Sequence, residues 1–217
     1  MIQRGLFLTV EGIEGVGKST NVEFLSTRLT ALGVDLVVTR EPGGTSVAEA
    51  IRETLLQQHA EPVSAMAELL LVFAARAQHI EQLIEPALRA GRWVLCDRFT
   101  DATYAYQGGG RGMDRGLIRQ LEELTQGDLR PVYTVLLDAP VDTGMARARA
   151  RGELDRFERE HLDFFERVRE AYLGQARSSS GRYHLVDATR PLQEVQAQLE
   201  VLCSDLLACW EVRHGED

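Results

Sequence analysis

Gly12-Ile13-Glu14-Gly15-Val16-Gly17-Lys18-Ser19 spells G-x-x-x-x-G-K-[ST]. It follows the apolar run Leu6-Phe7-Leu8-Thr9-Val10 and precedes a segment with helical spacing. A strand, a glycine-rich loop and a helix in that order converge backbone N–H groups on phosphate oxygens at a helix N-terminus. In such a loop Lys18 reaches the β- and γ-phosphates, the Ser19 hydroxyl holds Mg²⁺, and Thr20 follows in the first helical turn. The stretch reads as a cradle for a nucleoside triphosphate; a glycine-rich turn without ligand is the alternative.

Working outward, Val22, Leu25, Leu29 and Leu32 share one helical face that Gly33 ends, and Val34–Val38 reads as the next strand. A long helical pattern runs from about Val47 to Arg89, broken near Pro62, and leads to the short strand Trp93–Cys96. Leu117, Leu121 and Leu124 mark a further helix, and Val132–Leu137 is a continuous apolar strand of the kind buried on both faces. A basic helix, a polar break and a helix carrying Leu162, Phe165 and Val168 lead to the strand Tyr183–Val186. The final helix carries Leu192, Val195, Leu199, Leu202 and Leu206. The alternation predicts an α/β fold, a three-layer α/β/α sandwich on a parallel sheet, with ligands at the carboxyl ends of the strands.

The chain has 217 residues and no linker-like stretch, so residues 1–217 are expected to form a single domain. Its 24 Lys and Arg against 33 Asp and Glu give a net charge of −9, which disfavours nucleic acid polymers and membrane surfaces as partners. Phosphate must then be met by local clusters of Arg and Lys. Cys96, Cys203 and Cys209 lack metal or redox spacing and read as buried free thiols. His59, His79, His161, His184 and His214 show no ligand spacing and read as structural. Without a leader pattern or a bilayer-length apolar run, a soluble cytoplasmic protein is expected.

Candidate chemistry gathers at the strand exits. Asp97 and Arg98 leave a buried strand together, a carboxylate suited to Mg²⁺ or its waters beside a guanidinium suited to phosphate. Arg40 stands at the exit of the second strand, and Asp187–Arg190 at that of the last. Arg147, Arg149 and Arg151 alternate with alanines, which places Arg147 and Arg151 on one helical face and Arg149 away from it. The polar segment Gly152–Arg156 interrupts the pattern as a mobile lid would, with the lid expected over 147–158 and Arg156 its best candidate finger. The glycines of Thr103–Gly112 predict a loop, and its tyrosines and Gln107 suit contact with a base and sugar. Phe73 and Arg76, three apart on a helix, pair an aromatic face with a donor fork.

Together these motifs resemble thymidylate kinase over essentially the whole chain. The signatures are Gly12–Ser19, Arg40-Glu41-Pro42-Gly43-Gly44-Thr45, Phe73-Ala74-Ala75-Arg76, Asp97-Arg98-Phe99, Ala105-Tyr106-Gln107-Gly108 and Asp155-Arg156-Phe157-Glu158. The resemblance implies ATP- and Mg²⁺-dependent phosphorylation of dTMP to dTDP by a homodimer. It implies that Arg98 grips the acceptor phosphate, that Asp97 organises Mg²⁺, and that Phe73 stacks on thymine while Arg76 donates to O4. Gln107 and Thr103 would meet the remaining polar edge, Tyr106 would disfavour a 2′-hydroxyl, and Glu14 would fix the 3′-hydroxyl side. Because the loop residues Ile13, Glu14, Gly15 and Val16 include no basic side chain, the resemblance is to the largely bacterial branch with lid arginines. It points to Arg151 and Arg156, with Arg147 or Arg149 in support. Arg190 is the expected adenine contact. Ala102 stands where many relatives carry serine, so a hydroxyl contact there is lost or shifted.

Two alternatives remain on the sequence alone. A kinase for another nucleotide or nucleoside would keep the phosphate loop but lack the Phe73, Arg76 and Gln107 combination. A phosphate-loop switch that senses ATP without transferring phosphate would leave Arg40, Phe73 and Arg98 unexplained.

Overall fold

All five residues of β1 (Phe7–Glu11) are buried, as its apolar run requires of a strand covered on both faces. The remaining strands are β2 (Leu36–Arg40), β3 (Trp93–Asp97), β4 (Tyr133–Asp138) and β5 (Tyr183–Asp187). In the computed structural model they form one parallel sheet in the order β2-β3-β1-β4-β5. The structure describes residues 3–152, 155–179 and 181–214, the backbone only at 209 and 211–214. Glu153 and Leu154 of the expected lid therefore lie outside the described residues, as do the side chains of Cys209 and His214. The two described thiols, Cys96 and Cys203, are free and buried.

Side chains alternate across the sheet into two apolar layers. Leu8 and Val10 of β1 and Trp93 and Leu95 of β3 pack with Leu25 and Leu29 of α1 (Lys18–Ala31) and Leu199 and Leu202 of α9 (Leu192–His214). Phe7, Val94 and Cys96 face the other way, against Ile80 and Ile84 of a π-helical turn (Ile80–Ile84) and Leu88 of α4 (Glu85–Arg89). The remaining helices are α2 (Ser46–Leu56), α3 (Ala65–His79), α5 (Thr100–Thr103), α6 (Arg115–Gln126), α7 (Val141–Arg151) and α8 (Leu162–Ser178). Among the described residues no helix is long and apolar enough to cross a membrane.

Several element boundaries shift for local reasons. Val34 does not begin β2, because its N–H closes α1 on Leu29 O at 3.1 Å while Gly33 N reaches Thr30 O at 3.0 Å, a Schellman end. Val132 is exposed ahead of β4; Leu117, Leu121 and Leu124 do lie on α6, where Leu124 is exposed and Ile118 is the buried anchor.

The largest correction concerns Thr103–Gly112. Its glycines do not make a loop: α5 continues into a π-helical segment over Tyr104–Gly110, packed closely on α8. The reason is contact. A Cβ on Gly109 would meet Ala171 Cβ at 2.7 Å and Arg167 O at 2.9 Å, and one on Gly110 would meet Phe164 Cζ at 2.8 Å and Val168 Cγ2 at 2.9 Å. The missing side chains let two helices touch and hold Tyr106 and Gln107 in place. Gly110→Ala is expected to destabilise the protein by about 1–3 kcal/mol through overpacking, read as a lower urea midpoint at unchanged slope.

Candidate active site

The phosphate loop leaves the buried end of β1 with Gly12, Gly15 and Gly17 at φ of 140°, 71° and 88°. Gly17 caps α1 without a side-chain hydrogen bond, so the first N–H groups of that helix are left for an anion. Lys18 is buried and donates from Nζ to Ile13 O at 2.8 Å and Gly12 O at 3.1 Å, folding the loop around its own cation. Burial, then the neighbouring Arg98 charge, lowers the Lys18 pKa.

Arg98 follows β3 at φ 69°, the one non-glycine with positive φ among the described residues. Its backbone N–H bonds Val10 O at 3.0 Å. Its Nη1 donates to Gly12 O at 2.8 Å, its Nη2 to Glu14 Oε1 at 2.5 Å, and its guanidinium lies 4.9 Å from the Tyr106 ring centroid. The Tyr106 hydroxyl also donates to Glu14, at 3.0 Å. Burial alone would raise the Glu14 pKa, but Arg98, Lys18 and the Tyr106 hydrogen bond together hold it at about 2. Beside this group Asp97 Oδ1 is buried with no hydrogen-bond partner. Beneath it Glu11 accepts from Phe99 N and from the Tyr172 hydroxyl, each at 2.7 Å. Burial and the Asp101 charge push Glu11 up to about 8.

A second group reaches the same cavity from α3. Arg76 is 1% exposed and donates from Nε to Glu41 Oε2 at 2.7 Å and from Nη2 to Thr103 Oγ1 at 3.0 Å; its Nη1 has no partner. Glu41 is held in turn by His79, which lies 3.1 Å from Glu41 Oε1 and 2.7 Å from Thr39 Oγ1. The structural reading of His79 therefore stands on a specific job, fixing the carboxylate that aims Arg76. Gln107 is fixed by donating to Glu68 Oε1 at 3.0 Å.

The basic helix α7 rests on the phosphate loop through glycine. A Cβ on Gly144 would stand 2.5 Å from Glu14 O, and one on Gly15 would collide with the Gly144 carbonyl. The backbones meet directly, so Arg147 and Arg151, one and two turns beyond Gly144, line the cavity while exposed Arg149 does not. Arg147 donates to Ala188 O at 2.8 Å; Arg151, 63% exposed, is paired with Glu158.

One cavity of about 500 Å³ joins these groups. Its lining includes Glu14, Gly15, Gly17, Lys18, Ser19 and Thr20, then Arg40, Asp97 and Arg98, and also Arg76, Thr103, Tyr106 and Gln107. Gly12, Ile13 and Val16 shape the loop behind that lining: Gly12 and Ile13 through their carbonyls, Ile13 and Val16 as buried core residues. Arg40 is also paired with Glu49 at 2.8 Å.

Three expected site residues stand elsewhere. Phe73 is 2% exposed, packed with Leu69 and Ile118, because its position on α3 is turned by about 60° from Arg76 and about 100° from Val72, toward α6. Arg156 is clasped away from the phosphate loop: its Nε donates to Leu55 O at 2.7 Å and its Nη2 lies 2.8 Å from Glu68 Oε2. Arg190 is exposed beside Asp187, with 3.2 Å between Nε and Oδ2.

Sequence reasoning missed Glu41, Arg52, Glu68, Val72, Gly144 and Tyr172. Arg52 lines the cavity and donates to Pro42 O at 2.9 Å. Glu68 gathers Gln107, Arg111 and Arg156 around a fully buried carboxylate, a convergence that spans three separate stretches of chain.

The family model described as thymidylate kinase matches residues 10–199. The chain is 58% identical to a thymidylate kinase of Pseudomonas savastanoi pv. phaseolicola over 211 residues, covering 97% of this chain and 99% of that one. It is 59% identical over 206 residues to a thymidylate kinase of Ectopseudomonas mendocina, covering 94% and 98%. The crystal structure of thymidylate kinase from Ehrlichia chaffeensis is similar in fold, with a TM-score of 0.75 at 32% identity over 94% of this chain and 99% of that one.

Glu41 and Arg76 are both buried, so removing one strands the other's charge. Glu41→Ala is expected to cost about 3–5 kcal/mol in chemical denaturation, whereas a shared solvated pair would lose under about 1 kcal/mol.

Proposed function

The chain belongs to the thymidylate kinase family, and we propose that it transfers the γ-phosphoryl group of ATP to dTMP, yielding ADP and dTDP. The observation that carries this reading is the single cavity that brings Lys18, Ser19 and Arg98 together with Arg76, Thr103 and Gln107. A triphosphate switch needs only the first set.

In the proposed reaction an oxygen of the dTMP phosphate attacks the γ-phosphorus in line, and the bond to the β-bridging oxygen breaks as ADP leaves. No general base is required, because a phosphate monoester with a second pKa near about 6 is already largely dianionic at neutral pH. Catalysis then rests on position and charge. Backbone N–H groups from Gly15 to Thr20 and the Lys18 ammonium would hold the β- and γ-phosphates. An arriving anion opposes the burial that lowers the Lys18 pKa. Arg98, with Arg40 and Arg52 nearby, would hold the acceptor phosphate. The unpartnered Asp97 Oδ1 and the Ser19 hydroxyl are a fit for Mg²⁺, which takes one or two protein oxygens and completes its shell with phosphates and waters. Bound there, Mg²⁺ would neutralise phosphate charge.

Base choice follows from polarity. The free Arg76 Nη1 suits thymine O4, whereas cytosine presents an amino donor at that position. The Tyr106 ring, fixed through its hydroxyl to Glu14, would close the sugar side against a 2′-hydroxyl. Of the two expected fingers, Arg151 lies on the cavity and needs only to exchange Glu158 for phosphate, while Arg156 would serve as the clasp that seats the lid on Glu68. The homodimer and the cytoplasmic location are proposed on family resemblance.

Incubating the protein with ATP, Mg²⁺ and each of dTMP, dUMP, dCMP, dAMP and dGMP should give diphosphate product from dTMP far above dCMP. ATP loss independent of any monophosphate would indicate the switch instead. Lys18→Ala is expected to lower kcat by about a hundredfold or more. Arg151→Ala should lower kcat by about a thousandfold with ATP binding nearly intact, and a larger loss in Arg156→Ala would move the finger to that residue.

A further inference from the structure

A planar base bound in this cavity needs a surface for its face as well as partners for its edge. The edge partners are Arg76, Thr103 and Gln107, all buried and all lining the cavity. Arg76 sits on α3, and the residue one helical turn before it, on the same face, is Val72. Val72 lines the cavity and is 9% exposed. Phe73 belongs to a different face, sealed against Leu69 of its own helix and Ile118 of α6. It touches the site only from behind, with the Arg76 guanidinium 5.0 Å from its ring centroid.

We propose that Val72, and not the aromatic residue beside it, forms the surface on which the base of the acceptor nucleotide rests, making it a specificity-determining position. The inference deepens the proposed reading and depends on dTMP occupying the cavity. Phe73 then packs behind the Arg76 fork, which the hydrogen bonds to Glu41 and Thr103 hold in place.

The consequence is a division of labour unlike that of a stacked base. An aromatic platform grips any base through its π-face, a sequence-tolerant attraction. Valine offers only dispersion and apolar burial, with less area than a ring. Affinity for the base should then rest more heavily on the polar edge, where the chain has invested a buried Arg76 held by Glu41 and a buried Gln107 held by Glu68. Leu55, Phe99 and Ala102 also line the cavity, and Phe99 is occupied edge-on by Phe7 with centroids 4.8 Å apart.

The test measures the contribution of the base directly, as the ratio of the dissociation constants of 2-deoxyribose 5-phosphate and dTMP, in wild type, Val72→Ala, Val72→Ile and Phe73→Leu. Folding is followed by thermal melting. In Val72→Ala the ratio should fall about three- to tenfold, because apolar contact with the base is lost, and KM for ATP should stay within about twofold. Val72→Ile should keep the wild-type ratio. Phe73→Leu should lower the melting temperature and leave the ratio within about twofold of wild type. A fall in the ratio for Phe73→Leu equal to or larger than that for Val72→Ala would overturn the inference, as would an unchanged ratio in a folded Val72→Ala. Wild type that fails to bind dTMP would instead sink the underlying reading of the cavity, so the two failures are told apart by the unmutated protein.

Discussion

The Arg98 guanidinium is the contact on which the rest of the site depends. Its side chain is only 14% exposed, and a cation so far withdrawn from water needs partners; here they are the Gly12 carbonyl, the Glu14 carboxylate and the Tyr106 ring. Those partners lie in the phosphate loop and in the π-helical segment, so one side chain ties the ends of β1 and β3 to the helix that packs on α8. The backbone accepts a left-handed φ at Arg98 to make this possible. Glu14 neutralises part of the charge, and the site is thus poised to exchange a protein carboxylate for a substrate phosphate.

This arrangement also explains how a protein with a net charge of −9 concentrates cations for phosphate chemistry. Lys18, Arg40, Arg52, Arg98, Arg147 and Arg151 come from three different helices and two strand exits and share one cavity. Each is held by a carbonyl or a carboxylate of its own, which limits mutual repulsion until anions arrive. The direct backbone contact of Gly15 with Gly144 sets the height of α7 over the loop. Glu68 pairs with Arg156, and the same carboxylate holds Gln107. One buried acid therefore holds a cation of the 155–158 stretch and an amide of the cavity wall.

Local chemistry made much of this readable. The glycine pattern from Gly12 to Ser19 needs only its own strand and helix to become a cradle, and the four-residue spacing of Arg147 and Arg151 places both on one face whatever the helix packs against. The Thr103–Gly112 stretch misled because glycine has two uses. In isolation it frees the backbone, but beside α8 it removes the side chains that would keep two helices apart.

The sequence by itself determined the alternation of strands and helices, the triphosphate cradle and the residue types able to read a phosphate or a base, because hydrophobic period and turn chemistry act over a few residues. Only the tertiary structure decided which of two adjacent apolar residues, Val72 or Phe73, faces the cavity, and whether Arg156 points to the phosphates or to Glu68. Those choices are made by partners far away in the chain, Ile118 on α6 and the buried carboxylate on α3, and no local pattern encodes where a distant helix will press.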